Sequence, residues 1–388
     1  MENRIDKECQ LHDDAGKLAC KGYAFEPLVH YDRARVAASP MRIKEWDYYC
    51  INDDEYAVAL TIGDMGYSGL LSASVIRLAD PVGSVTQSVI TPFPLGHFSM
   101  PPTSDEGVSS FSNKRVSFDF SVADGVRSIE VRFDQFHGDD QLDVHIFLDE
   151  QPRDSMVIVT PWAEDEKAFY YNRKIVGMRA MGTLDVGKEH HVFDGKRSFG
   201  LLDWGRGVWT RDNTWYWAFA QGWQDGRGGN DTGTCRFGLN LGYGFGDTSA
   251  ASENMAFLDG RGFKLGRVRF EIEPAIGGEV CAATTSGVAA PDLGVAVPLP
   301  KAAGIAKGKQ IAERFNMMRP WRMVDDEGDV DLVFTPIHDR CDYMNAAGLI
   351  VSDQHQLFGT YDGTVKLDGR AFTVAGLLGA AEVVHNRY

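Results

Sequence analysis

Between Val116 and Phe133 apolar and polar residues change places at almost every step. In VSFDFSV the apolar Val116, Phe118 and Phe120 point one way and Ser117, Asp119 and Ser121 the other. SIEVRF repeats the pattern with Ile129, Val131 and Phe133. A period of two belongs to strands, and strands with one apolar and one polar face belong to antiparallel sheets that cover a core on one side. Similar runs fill most of the chain. Trp46 to Ile51 and Tyr56 to Ile62 read as strands around a polar turn at Asn52 to Glu55, followed by Leu71 to Arg77, Val144 to Leu148 and Met156 to Val159. Later come TWYWAFAQ, CRFGLNLGY, RVRFEIEP, DLVFTP, QLFGTYDGTVKLDG and TVAGLL. Only Ile305 to Met317 has the spacing of a helix, after an Ala-, Gly- and Pro-rich segment. The fold class is all-β, with barrels and sandwiches both open at this level.

A chain of 388 residues makes about two domains. Residues 1–40 read as a loosely structured lead-in, closed by Pro40. The net charge of −16 argues against nucleic acid and anionic membrane surfaces as partners. No run approaches the roughly 18 apolar residues of a membrane helix, and the polar start lacks the apolar core of a signal peptide, so the cytoplasm is the expected location. Six cysteines without C-x-x-C spacing fit reduced thiols.

The densest stretch is DWGRGVWTRDNTWYWAFAQGW, Asp203 to Trp223, with five of the eight tryptophans. A strand over Phe199 to Trp204 puts Phe199, Leu201 and Asp203 on one face. An Asp ending an apolar face is either an acid whose pKa is raised by burial or the partner of a cation, here Arg206. Trp215, Trp217 and Phe219 share a face, as core packing or as the wall of a lumen, and Trp204 and Trp209 flank the Asp–Arg pair. KEWDYY, with Lys44, Trp46 and Tyr49, alternates charges with aromatics as a barrel mouth or a solvated edge strand would. Glu253 and Asn254, with Glu382, His385 and Arg387, form a further polar group, readable as an acid/base site or as surface ion pairs.

Phosphate-loop, dinucleotide, zinc-protease and nucleophile-elbow patterns are absent, and no cofactor is expected. Adjacent His190 and His191 point to opposite faces of a strand and do not share a metal. No metal site is assigned, although one built from residues distant in sequence stays open.

KEWDYY, FYYNRKI at Phe169, DWGRGVW followed by WYWA, SENMAFLDG, VDLVFTP and EVVHNRY occur here in an order that resembles the family named domain of unknown function 2804. That family is distantly similar to carotenoid hydratase and AttH-type proteins. The resemblance implies two antiparallel lipocalin-like barrels packed side by side, one over 41–190 and one over 191–388. The Ala-, Gly- and Pro-rich segment before Arg319 departs from it and reads as a mobile insertion, 282–318. The resemblance also implies an Asp near the pocket between barrels that donates a proton to an apolar alkene. Asp203 matches that Asp, Trp215 and Trp217 match the following Trp strand, and Trp204 stands where the relatives carry His.

The expected function is a cofactor-independent hydratase, isomerase or cyclase acting on a hydrophobic small molecule, an isoprenoid, polyketide or lipid. Asp203 would be the proton donor. Trp204, Trp209, Trp215, Trp217 and Trp46 would wall the pocket, while Arg206, Lys44, Tyr49, Glu253 and Asn254 would contact the ligand. The alternative is a carrier of such a ligand with an inert, ion-paired Asp203.

Overall fold

The computed structural model describes residues 2–149, 154–225, 233–275, 310–346 and 350–387. It divides into two units, Met1–Trp209 and Thr210–Tyr388, each built on one antiparallel sheet. The all-β expectation holds. Among the described residues the helices are the single turn Gln310–Arg314 and the 3-10 turns Arg33–Arg35 and Pro81–Gly83. None is long and apolar enough to cross a membrane. Most of the expected insertion, 282–309, lies outside the described residues, as does 305–309 of the expected helix.

The ladder of the first unit runs, by residue range, 85–92, 68–77, 56–64, 43–52, 199–208, 165–186, 140–149, 126–137, 116–123 and 107–112. Its one core draws on strands from across the ladder, from Val75 and Leu60 through Leu202 and Leu148 to Phe118, so the sheet curls around that core. Arg115 Nη2 donates to Gln87 Oε1 at 3.3 Å, from one end of the ladder to the other. Strand Asp165–Val186 pairs with four others and bends at a bulge between Ile175 and Met178, where Gly177 has φ +80°. A bulge raises local twist and lets a long strand follow a curved sheet.

The boundary at 209/210 lies beyond the expected point near residue 190 because Phe199–Val208 pairs with Ile43–Asn52 along its whole length. Nor is the lead-in loose. Leu11, Val29, Tyr31 and Val36 are buried in the first core, and Gly22–Ala24 pairs with Met156–Trp162. Four apolar side chains spread over 26 positions gave no periodic signal, yet their burial ties the segment down.

The second ladder runs 261–264, 255–258, 234–243, 212–225, 370–387, 350–367, 330–346, 321–325 and 268–271. Its core packs Tyr216, Ala218 and Ala220 with Phe237, Phe334, Tyr361 and the fully buried Trp321. Both sheets alternate as the sequence does. Val116, Phe118 and Phe120 are buried, and the residues between them are only partly so.

Candidate functional site

Strand Phe199–Val208 sorts its residues by parity, and the first unit's polar chemistry follows from that. Asp203, Gly205 and Gly207 face one side, opposite Tyr48, Trp46 and Lys44 on one neighbour and Lys174, Asn172 and Tyr170 on the other. Trp204 and Arg206 face the other side with the core, opposite Asp47 and Glu45. The two glycines make room for rings. A Cβ on Gly205 would lie 2.0 Å from Cζ2 of Trp46, and one on Gly207 would lie 2.8 Å from Nε1 of Trp209. The GRG triplet is thus a seat for two indoles with an arginine on its underside.

The expected Asp203–Arg206 pair does not form, because residues three apart in a strand point to opposite faces. Asp203 instead pairs with Lys174 Nζ at 3.2 Å. Asn172 Nδ2 donates to its Oδ1 at 2.6 Å and Trp46 Nε1 at 3.3 Å. Lys174 Nζ also donates to Asn172 Oδ1 at 3.1 Å and to Tyr170 Oη at 3.2 Å. Trp46 stacks on Tyr170 at 6.2 Å between centroids and meets Trp209 edge-on at 5.4 Å. The result is a carboxylate held by three donors in a strip of aromatic rings.

Arg206 is fully buried in the core side of the sheet. It meets Asp47 Oδ1 at 3.2 Å and Glu45 Oε1 at 3.8 Å, and lies 4.0 Å over the Trp204 ring. Its guanidinium donates to the carbonyls of Trp46, Gly205 and Pro101. Glu45 also accepts from Tyr31 Oη at 2.9 Å, and Asp47 from Ser109 Oγ at 2.6 Å. Tyr49 belongs to this interior as well. It packs on Phe120 and takes a hydrogen bond from Arg127, so it does not share the Asp203 strip.

The second unit holds the other expected residues. Trp215 and Trp217 lie on the face opposite the second core, and each indole N–H is satisfied, by Glu382 Oε1 and by Asn240 Oδ1, both at 2.8 Å. Asn254 fastens a loop to its neighbours, accepting from Gly242 N at 2.8 Å and donating to Gly266 O at 2.9 Å. Glu253 accepts from Asn240 Nδ2 through its carbonyl at 2.8 Å. Glu382 and His385 point to opposite faces, and His385 bonds to Thr214 instead of joining an acid/base group.

Residues 2–388 match the model of the family described as Domain of unknown function (DUF2804). The chain belongs to that family. No curated protein matches. Among solved structures, kievitone hydratase from Nectria haematococca aligns over 89% of this chain and 88% of its own, with 11% identity and a TM-score of 0.41. A putative AttH protein from Nitrosomonas europaea aligns over 92% and 95%, with 11% identity and a TM-score of 0.45.

In this DUF2804 chain the partners of Asp203 had escaped the sequence reading. Asn172 and Lys174 sit in FYYNRKI, and the available signal was an amide and a lysine on alternate positions of an otherwise aromatic run. Lys44 was found, but not its state. Burial, with Arg42 nearby, lowers its amine from 10.5 to about 7, against a smaller upward pull from Asp64. The amine lies 4.9 Å from the Tyr67 ring centre and 5.6 Å from that of Trp209. Below about pH 7 the folded and unfolded chains both carry this proton, and the folded chain bears the full cost of burying it. As pH rises from about 7 towards 10.5 the folded chain has released the proton while the unfolded chain retains it, so stability rises across that window. Lys44→Met should therefore be more stable than wild type below pH 7 and should lose that rising component. Urea midpoints measured against pH check both points, and an unchanged slope would mean that Lys44 titrates as an ordinary lysine.

Proposed function

We propose that this chain binds a small hydrophobic molecule against the aromatic strip of its first unit and moves a proton on it without a cofactor. The reaction class is hydration, isomerisation or cyclisation. The observation that supports the reading is the Asp203–Lys174 contact of 3.2 Å beside Trp46 and Tyr170. A carboxylate and an ammonium at that distance hold one mobile proton between them. That proton passes from Lys174 to Asp203 and from Asp203 to an alkene carbon of the ligand. The pair is left as a carboxylate and a neutral amine, and the ligand as a cation. The faces of Trp46 and Tyr170 stabilise such a cation. Water addition, or loss of a neighbouring proton, completes the turnover and restores the pair.

A carrier is the second reading, favoured by the three donors that fix Asp203: a carboxylate so held can serve as a wall group alone. Mild purification followed by mass spectrometry of co-purifying small molecules supplies candidate ligands. With such a ligand, Asp203→Asn and Lys174→Met should each lower turnover at least ~100-fold, the usual scale of general acid catalysis. Turnover equal to wild type would sink the catalytic assignment, and a ligand retained but never converted by wild type would establish the carrier.

A further inference from the structure

Away from the Asp203 strip, three potential metal ligands converge in the second unit. Strands Val330–Ala346 and Ile350–Leu367 pair with Cys341 opposite His355, and Asp339 shares their face two residues before Cys341. One donor atom from each of Asp339, Cys341 and His355 lies within 4.8 Å of the other two. His355 is 2% exposed, with Nδ1 2.7 Å from Asp339 Oδ2 and with Nε2 buried and lacking a hydrogen-bond partner. Oδ1 of Asp339 and Oδ1 of Asp353 are buried without partners too. Asp353 Oδ1 stands 3.7 Å from His355 Nε2, and its Oδ2 accepts from Ile311 N at 3.0 Å. A cleft of about 350 Å³ opens on Asp339 and His355 and is walled by Phe315, Met317 and Met318.

A buried polar atom without a partner is costly, and Asp339 Oδ1 is one, beside Cys341 and His355. A cation held among these three side chains supplies the partner it lacks. Imidazole, thiolate and carboxylate together suit zinc, which takes all three donor types in tetrahedral sites. Three protein ligands with a cleft beside them leave a fourth position open, the arrangement of reactive rather than purely structural zinc sites.

We propose that Asp339, Cys341 and His355 bind Zn²⁺, His355 through Nδ1, with the open position facing the cleft. His355 Nε2–H then points to Asp353, which orients the ring by accepting from it, as carboxylates behind metal-bound histidines do. The cleft admits a small molecule that offers oxygen to the metal and lays an apolar body against Phe315, Met317 and Met318. This site is separate from the Asp203 strip, and the two proposals stand or fall independently.

The test uses the full chain, stripped with a chelator, and the metal alone as probe. Zn²⁺ titrated by calorimetry should bind stoichiometrically. Co²⁺ in its place should give tetrahedral visible bands and a near-ultraviolet thiolate-to-cobalt charge-transfer band. Cys341→Ser, at an exposed position, should abolish the charge-transfer band and weaken binding at least ~10-fold, as should His355→Ala. Cys50→Ser should leave both unchanged. Failure of the wild type to bind either ion, or a charge-transfer band that survives Cys341→Ser, overturns the proposal. In the first case His355 would be a ring held between Asp339 and Asp353 without a metal.

Discussion

Arg206→Met costs the first unit about 3–5 kcal/mol, the scale on which breaking a buried ion pair from one side destabilises a protein. The methionine fills much of the space but leaves Asp47 buried in the core without its cation, while Glu45 keeps Arg33. It also strips the carbonyls of Trp46, Gly205 and Pro101 of a donor. The Asp47 carboxylate must then be protonated, hydrated or exposed, and each route opens the sheet around the 43–52 and 199–208 strands. Equilibrium urea unfolding of the full chain reads the loss as a lowered midpoint of the transition that tracks the first unit. Asp47→Asn placed on Arg206→Met should recover part of it, because the stranded charge is gone. An unfolding free energy within about 0.5 kcal/mol of wild type, the scatter of neutral surface changes, would mean that water already reaches Asp47.

Gly205→Leu should be almost as damaging, at about 3 kcal/mol, the upper range for forcing extra atoms into a filled site. Its Cβ alone would stand 2.0 Å from the Trp46 ring, and the contact is with the rigid body of the indole, so a rotamer change at a flexible tip does not relieve it. Trp46 must leave its seat, which removes its hydrogen bond to Asp203 and its stacking on Tyr170. Stability and site geometry therefore fail together. Trp46→Phe separates the two effects: the smaller ring still covers Gly205 but offers no N–H, so stability falls less while the contact to Asp203 is lost. Tryptophan fluorescence, blue-shifted for buried indoles, should move red in Gly205→Leu. An unshifted spectrum with wild-type stability would mean that the ring is accommodated elsewhere.

The strands were legible because their signal is local. VSFDFSV and SIEVRF carry their own period, and the structure places them in Val116–Ala123 and Val126–His137. Parity within DWGRGVW was legible as well, and applied to residues 203 and 206 it already forbids the clasp between them. What the sequence withheld was register. Lys174 reaches Asp203 only because strand Asp165–Val186 pairs at that offset, beyond a bulge at Ile175 that shifts every residue after it. The same holds for Cys341 and His355, which become neighbours through a ladder interrupted between Pro336 and His338. A bulge is one extra residue without a composition of its own, so side-chain meetings that depend on it leave no periodic trace. The lead-in was missed for another reason: its short pieces bury single side chains, and no alternation develops over two or three residues.

The order of strands in the second sheet has a consequence for biosynthesis. Arg370–Arg387 lies in the middle of that sheet and pairs Arg387 with Asp212. All strands of the first unit's sheet have been made by residue 208, so that unit can fold while the ribosome is still at work. Asp212–Asp225 and its hairpin partner Thr234–Tyr243, by contrast, emerge early and wait for the central strand. At about 5–20 residues per second the delay is on the order of ten seconds. Throughout it, the edge of 212–225 that Arg370–Arg387 will cover presents open backbone donors and acceptors beside Trp215, Trp217 and Phe219. An uncovered edge of that composition is what holding chaperones bind. That edge stays open longest in the interval before the last strand arrives.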